Sequence, residues 1–147
     1  MTAQVAEKLR YKGKNLRMCT EPLEPYLEIA KINHDYSRMS TACWRGYQGV
    51  WEIVDDHLYL IKIDAEILTP AGNRPVTLRD YFPDAGKRVF AHWYSGIIHC
   101  THGKILKYIH GGYASRFEED IFLTIERGKL IDERHVINTK DALESDD

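Results

Sequence analysis

The sequence predicts a mainly β domain, β-rich within the α+β class: an antiparallel hairpin meander that forms a sandwich or a partly open barrel. Two observations carry that expectation. Four times an apolar or aromatic run meets a short polar turn with Gly or Asp and then a second apolar run, the pattern of a β-hairpin. Within the runs the side chains alternate: Ile121, Leu123 and Ile125 interleave with Phe122, Thr124 and Glu126, which gives a sheet one dry and one wet face.

The 147 residues suit one domain, and 44% hydrophobic with 29% charged residues is a globular composition. A chain of this length buries a core without help from a metal or disulfide. The formal charge of -2 argues against broad nucleic-acid binding, which counterion release from phosphates drives. Cys19, Cys43 and Cys100 are odd in number and widely spaced, a poor disulfide framework that fits a reducing compartment. No run approaches the ~20 apolar residues a bilayer span needs, and the first residues lack a signal-peptide core. A cytoplasmic protein with no membrane partner and no cofactor is expected.

The elements follow in order. The first hairpin is Leu9–Tyr11, a turn over 12–15 and a return over Leu16–Cys19. Lys8, Arg10, Lys12, Lys14 and Arg17 crowd it and read as a solvated edge, because lysines on an edge strand discourage sheet-to-sheet pairing. Over 21–32, Tyr26, Ile29 and Ala30 recur at helical spacing with proline early, which predicts one short helix in the N-terminal half. The second hairpin joins Gly49–Val54 to Leu58–Ile63, and residues 69–76 read as a loop between two halves of one sheet system. A single helical turn near 77–82 is capped by Thr77 and ended by Pro83. The third hairpin turns at Thr101-His-Gly-Lys and the fourth at Arg127-Gly-Lys. The whole of 1–147 reads as a single domain, with 139–147 an acidic tail that frays.

Three constellations hold the side chains with chemical potential. In Ser40–Trp51 an ideal strand puts Trp44 and Gly46 on one face and Cys43, Arg45, Tyr47, Gly49 and Trp51 on the other. Trp44, Arg45 and Tyr47 make a candidate binding floor, since aromatics and arginine anchor interfaces. Glycines within a strand mark a bulge or a close backbone approach. In Val89–His102, His92 and Tyr94 point one way on an ideal strand, and His99, Cys100 and His102 have ligand chemistry. Their spacing lacks the second pair of a four-ligand zinc site, so no metal is expected and His102 reads as a turn residue. In Tyr108–Asp120, Gly111 and Gly112 permit a sharp turn beside His110, Tyr113, Ser115, Arg116, Glu118 and Glu119. A histidine near neutrality can exchange protons, but no phosphate loop or Gly-x-Ser-x-Gly elbow completes a mechanism. Cys43 and Cys100 read as small buried hydrophobes rather than nucleophiles, and no catalytic residue is assigned.

The motifs Tyr-x-Gly-Lys-x-Leu-Arg-Met near 11–18, Thr41-Ala-Cys-Trp-Arg-Gly-Tyr, Phe90-Ala-His-Trp-Tyr-Ser-Gly and Tyr108-Ile-His-Gly-Gly-Tyr span most of the chain. On them it resembles a family of small, functionally uncharacterised bacterial proteins. That resemblance implies no activity and carries over no catalytic residue. The chain departs from the family pattern at Thr101 and His102, where proline and glutamine are expected before Gly103.

Two functions are expected in competition. The first is a non-enzymatic protein-binding module, a cytoplasmic immunity or antitoxin-type protein that neutralises a bacterial toxin. Its acidic Glu118-Glu119-Asp120 stretch would meet a basic toxin domain through complementary charge. The alternative is a small-molecule-binding or enzymatic β-barrel in which His92, His110, Tyr113 and Arg45 converge on a polar ligand.

Overall fold

Three of the four expected hairpins form, and each turns on two successive residues with positive φ. In the computed structural model, which describes residues 5–32, 46–109, 112–113 and 115–138, these are Lys12–Gly13, Asp55–Asp56 and Arg127–Gly128. Paired left-handed residues twist the backbone in the sense that matches the flanking strands, so the two-residue turn fixes register. The hairpins are β1 (Glu7–Tyr11) with β2 (Lys14–Met18), β3 (Gln48–Val54) with β4 (His57–Asp64), and β9 (Arg116–Glu126) with β10 (Lys129–Ile137).

The third expected hairpin does not exist. Residues 96–107 are one strand, β8 (Gly96–Lys107), bulged where the turn was expected. Gly103 adopts φ +90 there, but its neighbours do not, so one left-handed residue kinks the strand instead of reversing it. The Lys104 N–H donates to the Glu118 carboxylate at 2.5 Å within this kinked stretch. His102 is therefore a strand residue facing Glu119, not a turn residue. The expected loop at 69–76 is also structured: β5 (Glu66–Thr69) and β6 (Gly72–Pro75) form a small separate hairpin, with Gly72 at φ +114 leaving its turn.

The helix forms as α1 (Leu23–Ala30) and stops where Lys31 turns left-handed. Its buried face is Leu23 and Leu27, spaced i, i+4, with Tyr26 beside them, while Ile29 is exposed. The single helical turn, Leu78–Asp80, is held by the Asp80 carboxylate accepting the Thr77 N–H at 2.7 Å and by Asp80 N–H donating to the Thr77 carbonyl at 3.1 Å. A bidentate contact from Arg74 holds the Asp80 carboxyl down at about 2.

With the two-residue β7 (Val89–Phe90), the strands order as β10-β9-β8-β2-β1-β3-β4-β7. Lys129 of β10 also pairs with His57 of β4, so seven strands make a ring that meets at one residue pair, and β7 hangs from β4 as an extra edge. The ring is mixed rather than a pure antiparallel meander, because β1 and β3 run parallel, Lys8 opposite Val50 and Arg10 opposite Glu52. A parallel neighbour requires a long crossover, and the chain between β2 and β3 supplies it.

The hairpin β1–β2 is consequently interior to the sheet, flanked by β8 and β3, and its lysines and arginines do not guard an edge. Inward side chains of β1–β4, β8 and β9 meet in one cluster that includes Leu9, Met18, Trp51, Leu60, Cys100 and Leu123, and Leu130 of β10 packs against it. Each fully buried aliphatic or aromatic side chain contributes about 1.5–3 kcal/mol by leaving water. No described helix is long and apolar enough to cross a membrane.

Candidate functional site

A concave feature bearing a sequence-predicted residue, His92, is an aromatic cleft beside β7. It begins with α1, which presents Tyr26 on the flank of its buried stripe. Tyr26 stacks on Phe82 at a centroid distance of 4.2 Å, and Phe82 stacks on Trp93 at 5.3 Å. Offset rings at these separations attract through their quadrupoles beyond simple area burial. Two hydrogen bonds fix the trio: Tyr26 OH donates to the Tyr81 carbonyl and Trp93 Nε1–H to the Pro22 carbonyl, both at 2.8 Å. Phe90 and His92 extend the wall, His92 meeting Trp93 edge-on at 5.7 Å. The Arg88 guanidinium lies 3.9 Å from the Tyr59 ring centroid. The cleft has a volume of about 440 Å³, and Asp84, Arg88 and His92 give it polar edges.

His92 reaches this cleft because 91–95 is a turn, not a strand. His92 N–H bonds the Phe90 carbonyl and Tyr94 N–H the Ala91 carbonyl, so His92 is thrown outward while Tyr94 is buried. The two do not share a face. Burial pushes the Tyr94 phenol above its usual range. Tyr47 is likewise a core residue. Its hydroxyl donates to Glu24 at 2.7 Å, and burial, then that carboxylate, push its phenol far upward. Trp44, Arg45 and His110 lie outside the described residues, as does Cys43.

The remaining predicted residues gather on β8–β10 in two groups, one per face. On the outer face Asp120 is buried, accepting from His99 Nε2 at 2.6 Å and Asn138 Nδ2 at 2.7 Å, with Arg116 at 3.8 Å. Burial raises the Asp120 pKa, but the Asn138 and His99 hydrogen bonds outweigh it and leave the carboxyl below its usual value. His99 stacks on Phe122 at 4.8 Å. Nearby, Tyr113 OH donates to Glu21 at 3.0 Å, and Arg17 lies against the Phe117 and Tyr113 rings. His92 and Tyr113 thus stand in different clusters.

On the inner face a polar chain crosses the sheet. Tyr11 OH donates to Glu133, whose other oxygen meets His135 Nε2; His135 Nδ1 lies 2.9 Å from Glu119, and His102 Nδ1 3.5 Å from the same carboxylate. An imidazole between two carboxylates is held protonated, and His135 is raised by Glu133 first and Glu119 second. Glu119 is lowered chiefly by His135, and Glu133 by Tyr11 and then His135. Among the described residues no group of three His, Cys, Asp or Glu side chains is disposed to hold a metal ion. The acidic stretch 118–120 is therefore not one surface: Glu118 caps a backbone N–H, Glu119 faces inward and Asp120 faces outward but is buried.

Burial pushes the Cys100 thiol far upward and raises Cys19 as well, against the opposing pull of Arg17.

The cleft residues Tyr26, Phe82, Arg88 and Phe90, and Trp93 stacked on Phe82, were not singled out by sequence reasoning. The available signal was aromatic density at 81–82 and 90–94, but nothing local joins those runs to Tyr26. Compared with family profiles, curated proteins and solved structures, the chain matches none.

Proposed function

We propose that the chain is a non-enzymatic protein-binding module of the immunity or antitoxin type, engaging its partner through the aromatic cleft in the bacterial cytoplasm. The observation that carries this reading is the cleft wall of Tyr26 and Phe82, stacked on one another with Trp93 packed on Phe82, bordered by Arg88 and His92. Rigid aromatic faces with an arginine at the rim are the composition of an interface hot spot, where few side chains supply most of the binding energy. Strand β7 adds to it. As the last strand of the sheet order it offers a backbone edge next to the rings, suited to an extended segment that pairs with an edge while its side chains enter a groove. The acids at 118–120 contribute less to the choice of partner than their sequence suggests, because all three are engaged within the fold.

The test is capture with the tagged full chain, co-expressed with the products of neighbouring genes, followed by titration of the partner obtained. Phe82→Ala and Arg88→Ala each weaken binding about tenfold or more, roughly 1.4 kcal/mol, while the fold stays intact by circular dichroism. Failure to capture a stoichiometric partner, or equal affinity of both variants, overturns the reading. The volume of the cleft also suits a small molecule. A metabolite that co-purifies with the chain and is lost in Phe82→Ala would put that reading in its place.

A further inference from the structure

The outward face of β1–β2–β3 carries a feature the cleft does not explain. Across the sheet, Thr101 of β8 stands opposite Arg17, Arg17 opposite Lys8, Lys8 opposite Val50, and Val50 opposite Lys62. Three cations, Arg17, Lys8 and Lys62, thus occupy one row that crosses five strands. Arg17 and Lys8 are direct cross-strand partners, about 5 Å apart at the backbone, and like charges so placed repel and weaken the pairing. Among the described residues none of the three has a carboxylate within 4.0 Å. In the next row Arg10 reaches Glu52 only at 3.9 Å. Glu7 belongs to the same strand but points inward, bonded to the Gly49 N–H and the Trp51 indole.

This face is also concave. A groove of about 760 Å³ runs along it, with Lys8, Arg10, Arg17, Asn15 and Gln48 as polar walls and Val5 and Val50 among its apolar surfaces. The cations cannot be explained as edge protection, since both hairpin strands are flanked by neighbours. The Arg17 side chain is pre-positioned, its guanidinium 4.9 Å from the Phe117 ring centroid. Its Nη1 donates to Cys19 Sγ at 3.3 Å and Thr101 Oγ1 at 3.5 Å, contacts to neutral groups that leave its charge uncompensated among the described residues.

We propose that this groove docks an acidic segment of a partner protein, whose carboxylates bridge Lys8 and Arg17 and remove their repulsion. Nucleic acid fits less well. Single-stranded sites add aromatic stacking platforms to their charge, and among the described residues no aromatic side chain lines this groove. The chain's net charge of -2 also repels any long polyanion that extends beyond the patch. An acidic peptide needs only the local cations and the apolar floor.

The inference is independent of the aromatic cleft, and its test uses separate variants. The full chain is titrated with a fluorescein-labelled peptide of alternating glutamate and serine, and in parallel with a single-stranded oligonucleotide of equal charge. The peptide binds at low salt and loses affinity by about tenfold between about 20 mM and about 200 mM salt, as screening of exposed charges requires. Lys8→Glu weakens it at least about fivefold, while Lys87→Glu, which removes an exposed cation outside the groove, does not. Because Lys8→Glu places opposite charges across the pair, its melting temperature holds or rises, and loss of binding is not loss of fold. No peptide binding at low salt, unchanged affinity in Lys8→Glu, or tighter binding of the oligonucleotide than of the peptide overturns the proposal. Retained peptide binding in Phe82→Ala separates this surface from the cleft.

Discussion

Gly49→Ala is the substitution whose effect the structure fixes most sharply. Gly49 lies on the inward face of β3, between the buried Glu7 carboxyl and the Trp51 indole. A Cβ there would stand 2.4 Å from Glu7 Oε1 and 2.6 Å from Trp51 Nε1, inside any real contact distance. Glu7 is 1% exposed, so its carboxyl cannot swing into water to make room. The carboxyl accepts the Gly49 N–H at 2.5 Å and the indole N–H at 3.3 Å, and moving it breaks both. Each buried donor left unpaired costs about 1–3 kcal/mol, and the overpacking adds about 1–3. The sum is roughly 3–9 kcal/mol. At about 3 °C per kcal/mol for a chain of this size, the melting temperature falls by at least about 9 °C and by as much as roughly 27 °C. Thermal denaturation followed by circular dichroism measures it. Adding Glu7→Ala makes space for the new methyl group, so the double variant falls by less than the sum of the two singles. A Gly49→Ala protein that melts within about 3 °C of the parent refutes the reasoning.

Two further outcomes are expected. The raised His135 pKa stabilises the fold fully below its unfolded value of about 6.5, and that contribution disappears as pH rises through the folded value. The lowered Glu119 and Glu133 act in the opposite direction, stabilising above about 4.3 and ceasing to do so as pH falls through their folded values. Melting temperature against pH therefore peaks between these limits, and His135→Ala flattens its alkaline decline; an unchanged profile in that variant refutes the assignment. Separately, Gly13→Ala costs only the left-handed strain of φ +75, about 1–2 kcal/mol, because nothing lies within 4 Å of the added carbon. Gly128→Ala at φ +84 also drives a carbon to 2.7 Å from the Ala91 carbonyl, and roughly doubles that loss in the same thermal assay.

The elements were legible where local chemistry decides them. Lys12-Gly13 and Arg127-Gly128 announce two-residue turns, and Thr77 with Asp80 announces a capped helical turn. Gly103 misled because a glycine between polar neighbours fits a bulge as well as a reversal, and only the pairing of both sides with β9 distinguishes them. Alternation tells which side chains share a face but not which strand lies alongside. For that reason the parallel β1–β3 contact, and with it the interior position of the basic hairpin, could not be read ahead of the structure. The candidate site was partly legible for a similar reason. Tyr47 and Tyr94 carry the right chemistry but are spent in the core, whereas the cleft is assembled from residues 26, 82 and 90, which only tertiary packing brings together.

The meeting of β10 with β4 has a mechanical consequence. Around that contact the Leu58 N–H donates to the Gly128 carbonyl at 2.8 Å and the Leu130 N–H to the Asp56 carbonyl at 2.7 Å, while every other junction of the ring runs over two or more paired residues. Thermal fluctuation parts a cylinder where its stitches are fewest, so this seam unzips before the core melts. An unzipped molecule bares the rim of β10 and the His57 end of β4, the next residues of β4 staying paired with β7, and each freed stretch is complementary to its counterpart in a second copy. Two copies opened in this way can close through one another, each supplying the other's missing stitch, and concentrated protein held just below its melting temperature is where such exchanged pairs accumulate.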